Sequence, residues 1–279
     1  MAAPSPPVKP RSIFDVFQDI KKSVVFLGEP GPTGPVIRAT GFIIDVVNVT
    51  HLVTARHVLV DPKGKRVDEN LTVFFNLKSY GVSSRSINEV RRRLGIDWII
   101  AGDGSSDIAM IPFGLNQIED DVLRIPREIW KPVDQVLEAT DLFFLAYQPG
   151  ALPTNKVAPV MRAGMVSRLN EDRTFYMDGP AFPGNSGSPV FIRPSPARFL
   201  QTGTVLGQDP LAFGFVGLVG EYITYQDIAI SPQTGRPRVL FEENTGLTRV
   251  WSTDHLRELI DSTPFTNQIE GLRRRGAIP

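Results

Sequence analysis

Residues 182–191 read Phe-Pro-Gly-Asn-Ser-Gly-Ser-Pro-Val-Phe, and the turn this stretch must make decides how the rest of the chain is read. Gly184, two positions before Ser186, has no Cβ to obstruct a sharp turn, so the N–H groups of Gly184 and Ser186 can converge on one point. Paired donors beside a hydroxyl suit acyl transfer: the hydroxyl attacks a carbonyl and the donors take up the charge that develops on its oxygen. After the serine, Ser188-Pro189-Val190-Phe191-Ile192 is apolar and β-rich, which predicts a strand leaving the turn.

A serine nucleophile can be presented in two ways. One sets it in Gly-x-Ser-x-Gly between a strand and a helix, with acid and base later in the chain. Here position 188 is serine and Pro189 opposes a helix. The other design takes a histidine, then an aspartate, then the serine. Of the three histidines, His51 opens the run His-Leu-Val-Thr-Ala, and His255 falls in an amphipathic C-terminal segment. His57 follows Leu52-Val53-Thr54-Ala55-Arg56 and is the candidate base. Singly, a Gly-x-Ser-Gly is usually a turn and a histidine among apolar residues is more often a satisfied core residue. Unrelated turns have no reason to deliver the three residue types in order, each at the edge of a β-patterned run.

Thr54-Ala55-Arg56-His57 and Gly184-Asn185-Ser186-Gly187-Ser188-Pro189 resemble two motifs of the trypsin-like serine peptidases: Thr-Ala-x-His and Gly-(Asp/Asn)-Ser-Gly-Gly-Pro. The resemblance puts the acid at Asp107, because Ser106-Asp107-Ile108-Ala109-Met110-Ile111 is similar to the family's Asp-Ile-Ala-hydrophobic strand; Asp103 is the fallback. Ala139–Gly150, Ala163-Gly164-Met165-Val166-Ser167 and Asp178 are similar to segments of the cysteine-free HtrA-like branch. The resemblance covers roughly residues 20–262. Ser188 in place of the second glycine, Arg56 where a small residue is usual, and long segments between the later strands depart from the pattern. Nothing in the sequence looks like a PDZ domain.

This resemblance implies an all-β chain of two six-stranded antiparallel β-barrels, chymotrypsin-like, with short N-terminal and C-terminal helices. It implies a serine endopeptidase working through an acyl-enzyme: Ser186 as nucleophile, His57 as base, Asp107 as its orienting carboxylate, and the Gly184 and Ser186 amides as oxyanion hole. The walls of the primary pocket fall on Pro180-Ala181-Phe182 and on Gly246 and Thr248, with no carboxylate at the floor, so an uncharged aliphatic side chain is expected there. Substrate would lie as an added strand against Gly220-Glu221-Tyr222. Asn185 stands where the trypsinogen-type switch needs a charged aspartate, so that route of activation is not expected. No cofactor and no metal is implied. A catalytically silent peptide-binding pseudoprotease or scaffold and an esterase-like acyl hydrolase with the same triad remain alternatives.

Composition narrows the rest. Thirty basic and thirty acidic residues cancel over 279 residues, which argues against nucleic acid as partner. The expected partners are a protein or peptide substrate, with room for a regulatory partner or a homo-oligomer. There is no cysteine, hence no disulfide and no thiolate ligand. No apolar run reaches the roughly 20 residues of a membrane span, and Met1–Arg11 lacks a signal-peptide core, so a cytoplasmic protein is expected.

Along the chain, residues 1–12 read as a disordered proline-rich tail and 13–22 as a helix with Ser12 as N-cap. Residues 23–115 read as the first barrel with His57 and Asp107, 116–138 as the connection, and 139–251 as the second barrel with Ser186. Ser252 is expected to cap a C-terminal helix over 252–262, and 263–279 is a polar tail with no assigned structure.

Overall fold

The computed structural model describes residues 13–32, 34–102, 104–151, 156–195, 197–200, 203–206 and 213–278. The tail expected over residues 1–12, the Ser12 cap and Asp103 lie outside the described residues.

Helix α1 (Ile13–Lys22) is followed by β1 (Val24–Glu29), β2 (Val36–Val46), β3 (Val49–Ala55), β4 (Thr72–Asn76), β5 (Val82–Ser86), α2 (Ile87–Leu94), β6 (Ile99–Ile100) and β7 (Ile108–Pro112). The strands pair antiparallel in the order β5-β4-β1-β2-β3-β7-β6. This half therefore differs from the expected six-stranded barrel: among the described residues it is a seven-stranded sheet whose two end strands do not pair with each other. The additional strand is β5. Its sequence, Val-Ser-Ser-Arg-Ser, lacks the apolar alternation that marks a half-buried strand; it is an edge with no fully buried residue.

After two short 3₁₀ turns in the connection come β8 (Asp141–Ala146), β9 (Val160–Leu169), β10 (Thr174–Asp178), β11 (Pro189–Ile192), the hairpin of β12 (Ala197–Leu200) and β13 (Gly203–Leu206), and then β14 (Gly214–Ile230) and β15 (Pro237–Ser252). Six of these close a barrel, as expected, in the order β10-β15-β14-β11-β8-β9. In the sequence Gly220-Glu221-Tyr222, the expected partner of the substrate strand, reads as lying just past a strand that ends at Val219. Instead β14 runs on unbroken to Ile230.

The two halves share one apolar core, and rings weld them together. Phe42 of the sheet meets Phe215 of the barrel edge-on, with centroids 5.3 Å apart. Phe17 of α1 sits edge-on against Phe143 and Phe213, at 5.4 Å and 5.2 Å. Burying each such ring is worth roughly 2–3 kcal/mol, enough to hold groups on the two halves at fixed distance. A second cluster, including Phe144, Phe175 and Val190, fills the barrel itself.

The C-terminal helix α3 (Thr253–Ile260) forms as expected with Ser252 at the cap position, but the Ser252 hydroxyl accepts from no N–H of the first turn; it lies 3.3 Å from Asp254 Oδ2 and from His255 Nδ1 instead. Residues 263–279 are not a featureless tail. Helix α4 (Thr263–Arg274) buries Phe265, Ile269 and Leu272, spaced four and three apart on one face, with the Ser262 hydroxyl accepting from the Phe265 N–H.

Candidate active site

Strand pairing brings His57 and Asp107 together. Ala55 of β3 lies opposite Ile108 of β7, so the chain just beyond β3 meets the chain just before β7. His57 sits on a single 3₁₀ turn there, Arg56–Val58. Its backbone N–H donates to Asp107 Oδ1 at 2.9 Å and its Nδ1 lies 2.7 Å from Asp107 Oδ2. A carboxylate only accepts, so Nδ1 carries the proton and Nε2 is left with its lone pair. Nε2 lies 2.8 Å from Ser186 Oγ, which reaches it from the other half of the molecule.

Burial pushes the His57 pKa down, but the hydrogen bond and charge of Asp107, with the charge of Glu221, outweigh it; the imidazole titrates above its ordinary value. Its side chain is 44% exposed, so a substrate can reach it.

The serine turn follows from two glycines. Gly184 has φ +95° and Gly187 φ +83°, both in the left-handed region. A Cβ at Gly187 would lie 2.3 Å from the Thr40 carbonyl oxygen and 2.4 Å from Thr54 Oγ1, so no other residue fits. The Asn185 N–H returns to the Phe182 carbonyl at 2.9 Å and Ser188 N–H to that of Asn185 at 3.0 Å. Among the described residues the N–H groups of Gly184 and Ser186 have no protein acceptor and remain available to a ligand.

Two contacts hold this turn against Thr40 of the first half, and a third ties the same threonine to Tyr147. Thr40 N–H donates to the Ser186 carbonyl at 3.0 Å, Thr40 Oγ1 to the Gly184 carbonyl at 2.8 Å, and the Tyr147 N–H to Thr40 Oγ1 at 2.9 Å. Thr40 carried no sequence signal; its role depends on a neighbour 144 positions away. Asn185 is fully buried, with Nδ2 on the Tyr147 carbonyl at 3.0 Å and Oδ1 accepting from Phe182 N–H at 3.0 Å.

The residues expected to form pocket walls meet. Gly179 N–H bonds the Gly246 carbonyl at 3.0 Å, and the buried Thr248 hydroxyl accepts from Ala181 N–H at 3.1 Å and donates to the Gly179 carbonyl at 2.7 Å. Pro180 and Phe182 are exposed, and so is Asp178 on β10. Asn244 was not anticipated, although its Nδ2 bonds the Ala181 carbonyl. Gly220, Glu221 and Tyr222 lie on β14 just past Val219, whose carbonyl accepts from Gly187 N–H at 2.8 Å. Among the described residues no group of three or more His, Cys, Asp or Glu could hold a metal, and no helix is long and apolar enough to cross a membrane.

A closed antiparallel barrel packed on an antiparallel sheet, with a serine, a histidine and an aspartate in line at their junction, defines the chymotrypsin-like class of folds. Residues 39–193 match the model of the trypsin-like peptidase domain, more than half of the chain, and the chain belongs to that family: it is a peptidase of the serine type. Among solved structures it is similar to a serine endoprotease from Yersinia pestis, at 12% identity and a TM-score of 0.49 over 92% of this chain and 68% of that one. No curated protein matches the sequence.

Proposed function

We propose that this peptidase cleaves within polypeptide chains through an acyl-enzyme formed on Ser186. His57 Nε2 takes the proton from Ser186 Oγ as the oxygen attacks the scissile carbonyl, and later delivers it to the leaving amine. Asp107 keeps the imidazole in the required tautomer and stabilises the imidazolium. The Gly184 and Ser186 N–H groups stabilise the oxyanion, each worth about 3 kcal/mol in the barrier. The observation that carries this reading is the continuous chain from Asp107 Oδ2 through His57 to Ser186 Oγ, with links of 2.7 Å and 2.8 Å.

A fluorophosphonate probe tests it. The expected result is covalent labelling of Ser186 in the purified protein, abolished in Ser186→Ala and His57→Ala while their melting temperatures stay near wild type. Hydrolysis of an unfolded protein by folded Ser186→Ala would overturn the assignment. Esters cleaved while peptides are not would favour the esterase-like alternative.

A further inference from the structure

β14 and β15 leave the barrel as a two-stranded ribbon, paired out to Ile230 and Pro237. Over its first residues β14 is flanked on both edges, by β11 on one and β15 on the other. The last bonds on the β11 side are Gly187 N–H to the Val219 carbonyl and Val219 N–H to the Ser188 carbonyl. From Gly220 to Ile230 only β15 remains, and among the described residues no strand pairs with the other edge. A free edge thus begins beside the Ser186 turn and runs the length of the ribbon.

That edge is lightly guarded. Folded proteins blunt exposed edges with Pro, charged side chains or bulges. Residues 220–230 hold no Pro, Lys or Arg, their charges are Glu221 and Asp227, and the pairing with β15 shifts register near Tyr222 and before Ile230. By contrast, the outer part of β15 opens with Pro237 and Arg238. The outer part of the ribbon carries apolar side chains on both faces, beside the polar pairs Gln226–Glu242 and Tyr225–Glu243 nearer the barrel. Ile228 lies opposite Leu240 on one face and Ala229 opposite Val239 on the other, with Phe241 opposite Asp227. Tyr225, Ile228, Ile230, Val239, Leu240 and Phe241 are each at least half exposed. An isolated two-stranded ribbon is marginal in water, and one whose outer end exposes apolar side chains on both faces is suited to being covered. At its base a cavity of about 290 Å³ is lined by Phe182, Tyr222, Thr224, Glu242 and Asn244.

We propose that the free edge of β14 is a binding track for an extended polypeptide substrate. This rests on the peptidase reading of Ser186. The segment that pairs with Gly220–Tyr222 next to the cleavage point continues as an added strand to Ile230, its side chains falling alternately on the two faces and meeting the apolar side chains at the outer end. Glu221, 3.6 Å from the Arg249 guanidinium of β15, and Asp227 lie on β14, whose free stretch holds no base of its own, so the preferred segment is apolar or basic rather than acidic. The same charges disfavour a second copy, since two such edges would set like charges against each other. Such a track selects unfolded chains, because only an unpaired strand can lend its backbone to the edge.

Amide hydrogen exchange on the Ser186→Ala protein, with reduced carboxymethylated lactalbumin as an unfolded probe, tests this. Protection should extend from Gly220 through Ile230, and Tyr225→Lys with Ile228→Lys, which guard the edge, should weaken binding of the probe at least tenfold. Protection confined to residues 220–222 would overturn the track and leave the peptidase reading standing. Protection that grows with protein concentration in the absence of probe would assign the edge to a second copy and overturn it too. Failure of a fluorophosphonate to label the wild-type serine would remove the peptidase reading, and this inference with it.

Discussion

The hydroxyl of Thr40 on β2 donates to the carbonyl of Gly184 across the junction of the two halves, at 2.8 Å. The peptide between Gly184 and Asn185 is gripped at its other end as well, where the Asn185 N–H meets the Phe182 carbonyl at 2.9 Å. With the Ser186 carbonyl held by Thr40 N–H, the carbonyls that follow both proposed oxyanion donors point at Thr40. The donors themselves bond no acceptor among the described residues. Thr40→Val keeps the shape and removes the hydroxyl. It should lower kcat by about tenfold to a hundredfold with little change in KM, somewhat less than outright loss of an oxyanion donor. Thr40→Ser should restore it. A Thr40→Val protein with wild-type kcat would show that the bond only joins the halves.

The pH dependence has a definite sign. The base must be neutral to accept the serine proton, and the His57 pKa is raised above its ordinary 6.5. The acidic limb of kcat/KM should therefore have its midpoint above 6.5, and Glu221→Gln, which removes one of the charges that raise it, should move that midpoint down. The linked stability runs the other way. A raised folded pKa contributes stability that is fully present below 6.5 and is lost as pH rises through the folded value. The melting-temperature advantage of wild type over His57→Gln should accordingly shrink as pH rises across that window.

Asn185 replaces an ionic switch with a neutral latch. Its buried amide donates to the Tyr147 carbonyl and accepts from Phe182 N–H, so the serine turn is held without a newly cut N-terminal amine. Active enzyme should have the intact mass of its chain. Asn185→Asp would set a buried carboxylate against the Tyr147 carbonyl and cost about 3–5 kcal/mol at neutral pH. Thermal denaturation should show part of this recovered in acid, where the protonated carboxyl can donate to that carbonyl.

His51 should make the fold acid-sensitive. It is fully buried, with Nδ1 2.8 Å from the Val49 carbonyl and its ring packed on Phe265 of α4 at 5.5 Å. Burial lowers its pKa from 6.5 to about 4. Above 6.5 both folded and unfolded chains hold it neutral. As pH falls from 6.5 to 4 only the unfolded chain takes up the proton, and stability drops by up to about 3 kcal/mol. His51→Asn should be less stable throughout yet show a shallower loss over this range in denaturant titrations at stepped pH.

The proposed primary pocket should favour an uncharged aliphatic side chain. Ala181 and Thr248 are buried at its walls, and Asp178 is exposed on β10 rather than enclosed between them. A cation buried there without a partner would cost several kcal/mol. Cleavage profiling on a mixed peptide library checks this, and a dominant preference for Arg or Lys before the cut would contradict it.

The sequence alone determined what depends on local chemistry. Gly184 before Ser186 dictated a sharp turn, the apolar runs dictated strands, and Thr54-Ala55-Arg56-His57 marked the end of one of them; these signals are read within a few residues. Tertiary structure decided what depends on distant partners. β5 exists because β4 offers it an edge, not because Val-Ser-Ser-Arg-Ser favours a strand. α4 is ordered by a core that accepts Phe265, Ile269 and Leu272. Thr40 matters because a carbonyl 144 positions away comes within 2.8 Å of its hydroxyl. The ribbon forms because Tyr225–Ile230 and Pro237–Glu243 pair with each other beyond the barrel. Hydrogen bonding between remote segments leaves no periodicity in either one, so only the folded chain reveals which edge is filled and which is left open.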